Sequence, residues 1–240
     1  MQIRVIYQEI DFLVLDKPAG IAVHHGAGVR GNTLTDWLTK RYPETKTVGD
    51  DPKTRPGIVH RLDKDTSGVM LVARNQRAFE NLKQLFKERR VEKTYLALAV
   101  GVPKRRSGLI ASPIGRPARR PTRRATRGEL QGARSALTEY RFLERLNGYS
   151  LLEVRPKTGR MHQIRVHLAA IGHPVAGDPT YGGARATLPG LRHQFLHASS
   201  LEFSYPGGRR LRFESPLPPE LNAVLKELRK QRRRGNISSA

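Results

Sequence analysis

Short apolar runs separated by polar turns recur along the chain and predict a protein rich in β-strands. IRVIYQ and FLVLDKPAG are expected to form two neighbouring strands, and Lys17, Pro18 and Gly20 mark the end of the second. SGVMLVAR is a compact apolar run after a charged loop, which suits a central strand. SALTEYRFLERL and YSLLEVRP are expected to pair antiparallel. Further strands are predicted at KTYLALAVGV, LIASPIG, FLHASSLEFSYP and RRLRFESP.

Helical periodicity appears in several segments between these strands. NQRAFENLKQLFKERR predicts a helix behind Asn75, which is a suitable N-cap. NTLTDWLTKRY predicts a shorter helix capped by Asn32 or Thr33. A terminal helix is expected from about Pro219. The apolar face of the helix behind Asn75 consists of Phe79, Leu82, Leu85 and Phe86.

TGRMHQIRVHLAAIGHP predicts another helix, with Thr158 as a possible N-cap. Gly172 and Pro174 supply its stop signal. Arg165 lies off the apolar stripe of this helix and is expected to project toward a cleft. The stripe itself consists of Ile164, Leu168 and Ile171.

The order of these elements favours an α+β fold. Strands outnumber helices, and several successive strands are joined by segments too short for a crossover helix. We therefore expect a large mixed, mainly antiparallel β-sheet flanked by helices, with an active-site cleft along the sheet. The absence of a GxxxxGK[ST] segment disfavours a P-loop nucleotide-binding sheet.

Composition excludes several classes of protein. The 240 residues contain no cysteine, so disulfides, thiolate metal sites and a cysteine nucleophile cannot contribute. Hydrophobic residues make up 38% of the chain, which is typical of a folded globule. No apolar run approaches the roughly 20 residues that span a bilayer, and no export signal is evident. We expect a cytoplasmic protein that does not contact a membrane.

The net charge of +23 predicts a polyanionic partner. Residues 104–134 contain ten basic side chains and one acid, and residues 226–234 contain six and one. The internal block includes glycine and proline and offers no apolar helical face, so RNA contact is favoured over membrane binding. For the terminal run, a solvated tail and RNA contact are both compatible with the sequence.

A charged loop before SGVMLVAR carries the candidate chemistry. GIVHRLDKDTSG places His60, Arg61, Asp63 and Asp65 where the chain enters a buried strand, and loops held by a rigid sheet often carry function. Composition alone would favour a salt-bridged loop here. HRLDKDTSG, however, resembles the central motif of the RluA-type ribosomal large-subunit pseudouridine synthases. LVLDKPAGIAVH, EKTYLALAVG and TGRMHQIRVHLAAIGHPVAGDPTYG resemble further segments of that family, in the same order along the chain.

The resemblance implies roles for four residues. Asp63 corresponds to the family's catalytic aspartate, and Arg61 to the arginine that enters the helix stack when the target uridine leaves it. Tyr95 corresponds to the tyrosine packed on the target base, and Arg165 to the arginine paired with the catalytic carboxylate. The implied activity is isomerisation of uridine to pseudouridine in structured RNA, which involves no net oxidation and needs no redox cofactor. A carboxylate suits this chemistry as a nucleophile or as a stabiliser of positive charge.

Further basic and histidine side chains are expected to contact RNA. Metal ligation is not expected, because His162 and His167 are five residues apart rather than four as in a zinc-binding HExxH helix. His24 and His25 are assigned to packing or RNA contact. The predicted RNA-binding set, besides Arg61, consists of His60, Arg123, Arg124, Arg160 and His162.

The predicted organisation is one catalytic domain over residues 1–225 and a basic tail over residues 226–240. Many relatives carry an additional N-terminal RNA-binding domain, and none is expected in this chain. Ribosomal RNA is the favoured partner and transfer RNA the second choice, and the protein is expected to be a monomer without cofactor or metal. Two other classes remain open: a non-catalytic RNA-binding module, and a metal-dependent nuclease that uses Asp63 and Asp65 as a carboxylate pair.

Overall fold

The computed structural model describes residues 2–26, 28–118 and 123–237. The strands are β1 Arg4–Gln8, β2 Phe12–Lys17, β3 Ser67–Ala73, β4 Glu92–Val100, β5 Ser107–Ala111, β6 Ile114–Pro117, β7 Leu130–Arg134, β8 Leu137–Leu146, β9 Tyr149–Pro156, β10 Leu196–Tyr205 and β11 Arg209–Glu214. The helices are α1 Leu34–Arg41, α2 Gln76–Lys87, α3 Gln163–Ala170 and α4 Pro219–Ile237. Short 3-10 turns cover Pro43–Thr47 and Ala184–Ala186.

The chain divides into two compact units. Unit 1 comprises residues 1–93 and 198–216, and unit 2 comprises residues 94–197 and 217–240. Unit 1 has the strand order β1-β2-β3-β10-β11, and unit 2 has the order β4-β9-β8-β5 together with a separate β6-β7 hairpin. The pairs β1-β2, β2-β3, β10-β11, β4-β9, β8-β9 and β5-β8 are antiparallel. The expected α+β class with a mainly antiparallel sheet is confirmed.

An aromatic cluster forms the centre of the unit 1 core. Every residue of β3 is buried, as the apolar run SGVMLVAR predicts. The ring of Phe12, which is fully buried, lies 5.2 Å from that of Tyr205 and 5.9 Å from that of Phe203. Such tilted and edge-on pairs add stability beyond the area they bury. Helix α2 covers this core with the predicted apolar face.

Two apolar clusters form the core of unit 2. One lies between α3 and strands β4 and β9 and includes Ala97, Leu152 and Leu168. In the other, Leu221 and Leu228 of α4 pack against Leu98 and Phe195 of the same unit. Helix α4 thus continues through the boundary predicted at residue 225, and Leu228 beyond that boundary is buried.

Local capping explains where two of the helices begin. Thr33 and Asp36 form a capping box at the start of α1: the Thr33 N–H donates to the Asp36 carboxylate at 2.7 Å, and the Asp36 N–H donates to the Thr33 hydroxyl at 3.4 Å. The Asn75 side chain accepts the N–H of Ala78 at 2.9 Å, which makes it the predicted N-cap of α2.

Helix α3 ends at the predicted stop, where Gly172 follows the C-cap Ile171 with φ +86°, but its start differs from the prediction. It begins after His162 rather than after Thr158. The Thr158 hydroxyl instead donates to the side chain of Gln163 at 2.7 Å, and the same amide oxygen accepts the Arg160 N–H at 2.9 Å. Ile171 is 37% exposed and does not continue the buried stripe, because the helix ends at Ala170.

The polar strand β7 was not predicted, since LQGAR has no apolar alternation; its pairing with β6 is what makes it a strand. The RRPTRR segment of the basic block lies partly outside the described residues. No helix among the described residues is long and apolar enough to cross a bilayer.

Gly68→Ala tests the close approach of strands in unit 1. Gly68 has φ +116°, and a Cβ atom there would overlap the backbone of Ala198 in β10. We expect the free energy of unfolding to fall by about 3 kcal/mol or more, since backbone cannot move aside cheaply. Urea titration followed by circular dichroism measures this change.

Gly207→Ala is the matched control for the backbone conformation. Gly207 also has positive φ, at +92°, but its Cβ would meet nothing within 4 Å. Its cost should therefore be limited to about 1–2 kcal/mol from the left-handed backbone. Equal costs for the two variants would contradict the steric explanation for Gly68.

Candidate active site

The loop that carries Asp63 lies in unit 1, immediately before β3. Asp63 is partly buried, and its carbonyl accepts the N–H of Thr66 at 3.1 Å, which closes a turn into the strand. Thr66 and Ser67, which follow, are buried. The turn of the HRLDKDTSG motif, which carries Asp63 and Asp65, therefore leads directly into the buried start of β3.

A fully buried lysine at the end of β2 is hydrogen-bonded to this loop. The Lys17 ammonium donates to three carbonyl oxygens: Pro18 at 2.8 Å, Ile21 at 2.9 Å and Lys64 at 2.9 Å. Lys64 stands between Asp63 and Asp65. Burial lowers the pKa of Lys17 to about 7, although the charges of Asp65 and Asp63 partly oppose that shift.

His60 anchors the same loop from its other end. Its Nε2 atom accepts the N–H of Leu71 in β3 at 2.9 Å, and its ring stacks on Phe86 of α2 with centroids 4.5 Å apart. Desolvation, assisted by the charge of Lys93, lowers the pKa of His60 to about 3. The ring is therefore neutral, with its proton on Nδ1. These contacts account for His60 as a packing residue; its predicted contact with RNA stays a prediction.

Arg61 extends from the loop to a histidine of the β2–α1 connection. Its Nη1 donates to Nε2 of His24 at 3.0 Å, and the His24 Nδ1 donates in turn to the carbonyl of His25 at 2.7 Å. Desolvation lowers the pKa of Arg61, the Asp63 charge raises it and the Arg55 charge lowers it. Arg61 and Asp63 are thus electrostatic neighbours on one loop of unit 1.

Tyr95 lies in unit 2 on β4, opposite Val154 of β9. Its side chain is partly buried and packs against the cluster that contains Ala97, Ile164 and Leu168. Alternation along β4 places Tyr95 and Ala97 on one face. Arg165 belongs to the same unit, on α3, and is only 5% exposed.

A buried carboxylate holds Arg165 in a bidentate ion pair. The Arg165 Nε donates to one oxygen of Asp178 at 2.7 Å, and Nη2 donates to the other at 2.9 Å. Nη2 also donates to the Thr180 hydroxyl at 3.1 Å. Burial raises the pKa of Asp178, but Arg165 and the N–H groups of Thr180 and Tyr181 outweigh this and hold it below its usual value. Arg165 is therefore a rigid cation.

Tyr181 connects this ion pair to the arginine-rich β6–β7 region. The Arg165 guanidinium lies 5.2 Å from the centre of the Tyr181 ring. The Tyr181 hydroxyl accepts the backbone N–H of Arg124 at 3.0 Å and bonds to Nδ1 of His162 at 2.8 Å. His162 has a left-handed backbone, φ +57°, directly before α3. Three predicted site residues of unit 2, Arg124, His162 and Arg165, thus surround one tyrosine.

The remaining predicted RNA-binding residues lie near this cluster in unit 2. Arg160 donates through Nε to the carbonyl of Ser135 at 3.2 Å. The carbonyl of Arg123 accepts from the Arg124 guanidinium at 2.8 Å, and that guanidinium also lies 3.1 Å from the sulfur of Met161. No group of three His, Asp or Glu side chains in the described parts of the chain could hold a metal ion.

Sequence reasoning missed Lys17, Asp178 and Tyr181. Lys17 is the last residue of β2 and follows mainly apolar residues. Nothing in FLVLDKPAG indicates that its side chain is buried. Asp178 and Tyr181 both belong to the GDPTYG segment that carries part of the family resemblance. An acid flanked by glycine and proline in a strongly basic chain was a signal that could have identified Asp178 as a partner for a buried arginine.

These features agree with the comparisons to known proteins. A family model described as RNA pseudouridylate synthase matches residues 11–170, a range that includes Asp63, Tyr95 and Arg165. The chain belongs to this family, and the RluA-type resemblance of its motifs is confirmed.

Two curated bacterial proteins and one solved structure illustrate the similarity. An uncharacterised RNA pseudouridine synthase of Chloroflexus aurantiacus is 45% identical over 214 residues, which cover 89% of this chain and 65% of that relative. The ribosomal large subunit pseudouridine synthase D of Xanthomonas campestris pv. campestris is 41% identical, covering 95% of this chain and 70% of the relative. The structure of human RNA pseudouridylate synthase domain containing 1 aligns with a TM-score of 0.76 at 31% identity, covering 93% of this chain and 87% of that chain.

His60→Gln tests the neutral state of the anchoring histidine. An unfolded histidine titrates near pH 6.5, whereas folded His60 titrates near 3. The unfolded chain therefore binds more protons between these values, and stability is lost as the pH falls through 6.5 toward 3. For a partly buried group we expect a loss of about 1–2 kcal/mol between pH 7 and 5.

Urea unfolding at both pH values, in the wild type and in His60→Gln, isolates this contribution. The glutamine keeps an acceptor for the Leu71 N–H but does not titrate, so the variant should lose less stability on acidification. His24 and His167 are present in both proteins and cancel in the comparison. An unchanged difference between pH 7 and 5 would contradict the assignment.

Proposed function

We propose that this protein is an RNA pseudouridine synthase that isomerises specific uridines in structured RNA. The observation that carries the proposal is the family match over residues 11–170, within which the HRLD, KTY and arginine-helix motifs occur in order. The reaction breaks the bond between N1 of uracil and C1′ of the ribose and forms a bond between C5 and C1′. The hydrogen on C5 is lost and N1 gains one, so there is no net oxidation.

Asp63 is the proposed catalytic carboxylate, acting at the anomeric carbon. It either attacks C1′ directly or supports departure of the base after a proton is removed from the sugar. Its place in a turn held by Lys17 and His60 supports this role, because a nucleophile on a fixed backbone loses little freedom in the transition state. Arg165 is proposed as the cation that keeps the carboxylate ionised, and the Asp178 pair supports a fixed position for it.

Tyr95 is the proposed partner of the target base. Its ring would stack on uracil after the nucleotide leaves the helix, and its hydroxyl would take part in proton transfer at C5. Its partly buried position on β4 supports a ring held firmly from behind by the unit 2 core. Proximity to the apolar cluster also favours a dry environment for the base.

The basic residues are proposed to bind the phosphate backbone. Arg123, Arg124, Arg160 and His162 belong to unit 2, and the net charge of +23 supports a polyanionic substrate. Binding to a duplex should weaken with salt by roughly 0.9 log unit per log unit of salt for each neutralised phosphate. His60 is retained as a further RNA contact in the proposal.

Large-subunit ribosomal RNA is the proposed target, supported by the name of the Xanthomonas relative. Transfer RNA is the second candidate. Mapping of pseudouridines in RNA from a deletion strain distinguishes the two. We further propose that the protein acts in the cytoplasm as a monomer, because the proposed catalytic residues all come from one chain.

Asp63→Asn tests the catalytic carboxylate. The rejoining of the base through C5 expels the hydrogen on that carbon, so tritium release from RNA labelled at C5 of uridine reports turnover. We expect release to fall at least about 10³-fold, since an amide cannot replace the carboxylate, while RNA affinity changes little. Retained release would remove Asp63 from this role.

Asp65→Asn is the matched control two residues away. If Asp63 acts alone, the Asp65 variant should keep most of its activity. A metal-dependent nuclease that uses both carboxylates would lose activity in both variants, would be inhibited by a chelator and would cleave the RNA. Tritium release from RNA that stays intact supports the isomerase, and cleavage of the RNA supports the nuclease.

Arg61→Ala tests the residue proposed to fill the gap in the helix. Extrusion of a base costs a few kcal/mol, so kcat/KM on structured RNA should fall by roughly 10- to 100-fold, and much less on an unstructured oligonucleotide. Arg61→Lys keeps the charge without the planar guanidinium and should resemble the alanine variant. Equal losses on both RNAs would exclude this role.

A further inference from the structure

The hydrogen bond between His24 and Arg61 has no part in the roles proposed above. Arg61 is an exposed residue, yet its Nη1 lies 3.0 Å from Nε2 of His24, which is only 8% exposed. A carboxylate partner would bring an opposing charge to the guanidinium, whereas a neutral histidine ring brings none. The contact with His24 therefore fixes the direction of the guanidinium and adds no opposing charge to that of Asp63.

The orientation of the His24 ring follows from its other hydrogen bond. The carbonyl of His25 can only accept, so the His24 Nδ1, 2.7 Å away, must carry a proton. In the neutral ring Nε2 is then an acceptor and faces the guanidinium correctly. Burial lowers the pKa of His24, the carbonyl of His25 opposes this, and the charges of Arg61, Arg55 and His25 lower it further. The ring is thus neutral at physiological pH.

The backbone around His24 is held by the start of α1. The N–H groups of Leu34 and Thr35 donate to the carbonyls of Ala22 and Val23 at 2.9 and 3.0 Å. The His25 ring bonds to the Asp36 carboxylate at 2.9 Å, and Asp36 also belongs to the capping box of α1. His24 is therefore an acceptor on a rigid support, built from a different part of unit 1 than the loop that carries Arg61.

We propose that His24 is a positioning residue for Arg61, which holds the guanidinium extended in the RNA-free protein so that it is ready to replace an extruded base. The inference rests on the function proposed for Arg61. An arginine side chain has many rotamers, and fixing it before RNA binds removes an entropic cost from the step in which the base leaves the helix. The gain applies only to substrates whose target base is stacked.

His24→Phe removes the acceptor and keeps a ring of similar shape. We expect kcat/KM for tritium release to fall by about ten-fold on structured RNA and less than about two-fold on an unstructured oligonucleotide of the same local sequence. His24→Gln offers a carbonyl oxygen to the guanidinium and should recover part of the loss. His193→Phe is the matched control, because the His193 ring also bonds to the carbonyl of the next residue, at 3.2 Å, and lies in unit 2.

A double-mutant cycle with Arg61→Ala decides whether the effect passes through Arg61. The double variant His24→Phe, Arg61→Ala should have the activity of Arg61→Ala alone. Full additivity, equal losses on both RNAs, or a gain of activity in His24→Phe would each overturn the inference. Should His24→Phe fold poorly by thermal melting, the same cycle is run with His24→Gln, for which full additivity is again the contradicting result.

The cycle also separates the inference from the function on which it rests. If Arg61→Ala discriminates between the two RNAs and His24→Phe does not, only the positioning role fails. If Arg61→Ala itself does not discriminate, the role of Arg61 fails and the positioning role with it. If Asp63→Asn retains tritium release, the catalytic assignment fails independently of both.

Discussion

The buried ammonium of Lys17 is the constraint on which the Asp63 loop depends. Removing a charge from water is tolerated only where hydrogen bonds replace the lost hydration, and here three backbone carbonyls do so at 2.8–2.9 Å. One of them belongs to Lys64, so the end of β2 and the turn between Asp63 and Asp65 cannot move apart without breaking one of the three hydrogen bonds of this ammonium. His60 adds a second attachment, to β3. The turn that carries Asp63 is thus held at two points although it lies in a loop.

The two units stabilise their cationic side chains in different ways. In unit 2, Arg165 is buried against Asp178 in a bidentate pair, and such a pair fixes geometry even where it contributes little net stability. In unit 1, Arg61 contacts a neutral ring and stays exposed. The difference matches the two proposals: a stationary cation for Arg165, and for Arg61 a cation that stays accessible to RNA. Among the residues that the structure describes, ion pairs with both partners exposed, such as Arg212 with Glu214, contribute little to stability.

Local signals in the sequence predicted most of the secondary structure. The alternation in β4 and the helical face of α2 depend on neighbours within one element, and the Thr33 and Asn75 caps depend on residues three positions away. Thr158 failed as a cap because Gln163, folded back by tertiary packing, competed for its hydroxyl. Lys17 could not be identified because its partners are backbone carbonyls. Asp178 carried a local signal in GDPTYG, although its partner Arg165 lies 13 positions away in the sequence. The motif residues themselves were found through resemblance, since composition alone favoured a salt-bridged loop.

The contact between Tyr181 and Arg124 has a consequence for how such proteins diverge. The Tyr181 hydroxyl accepts the backbone N–H of Arg124 in the arginine-rich segment. Every amino acid except proline supplies this N–H group. Side chains along the segment can therefore be exchanged during evolution while its attachment point stays the same. A lineage could change the chemistry of the segment's surface with no change to the ion pair of Arg165 and Asp178.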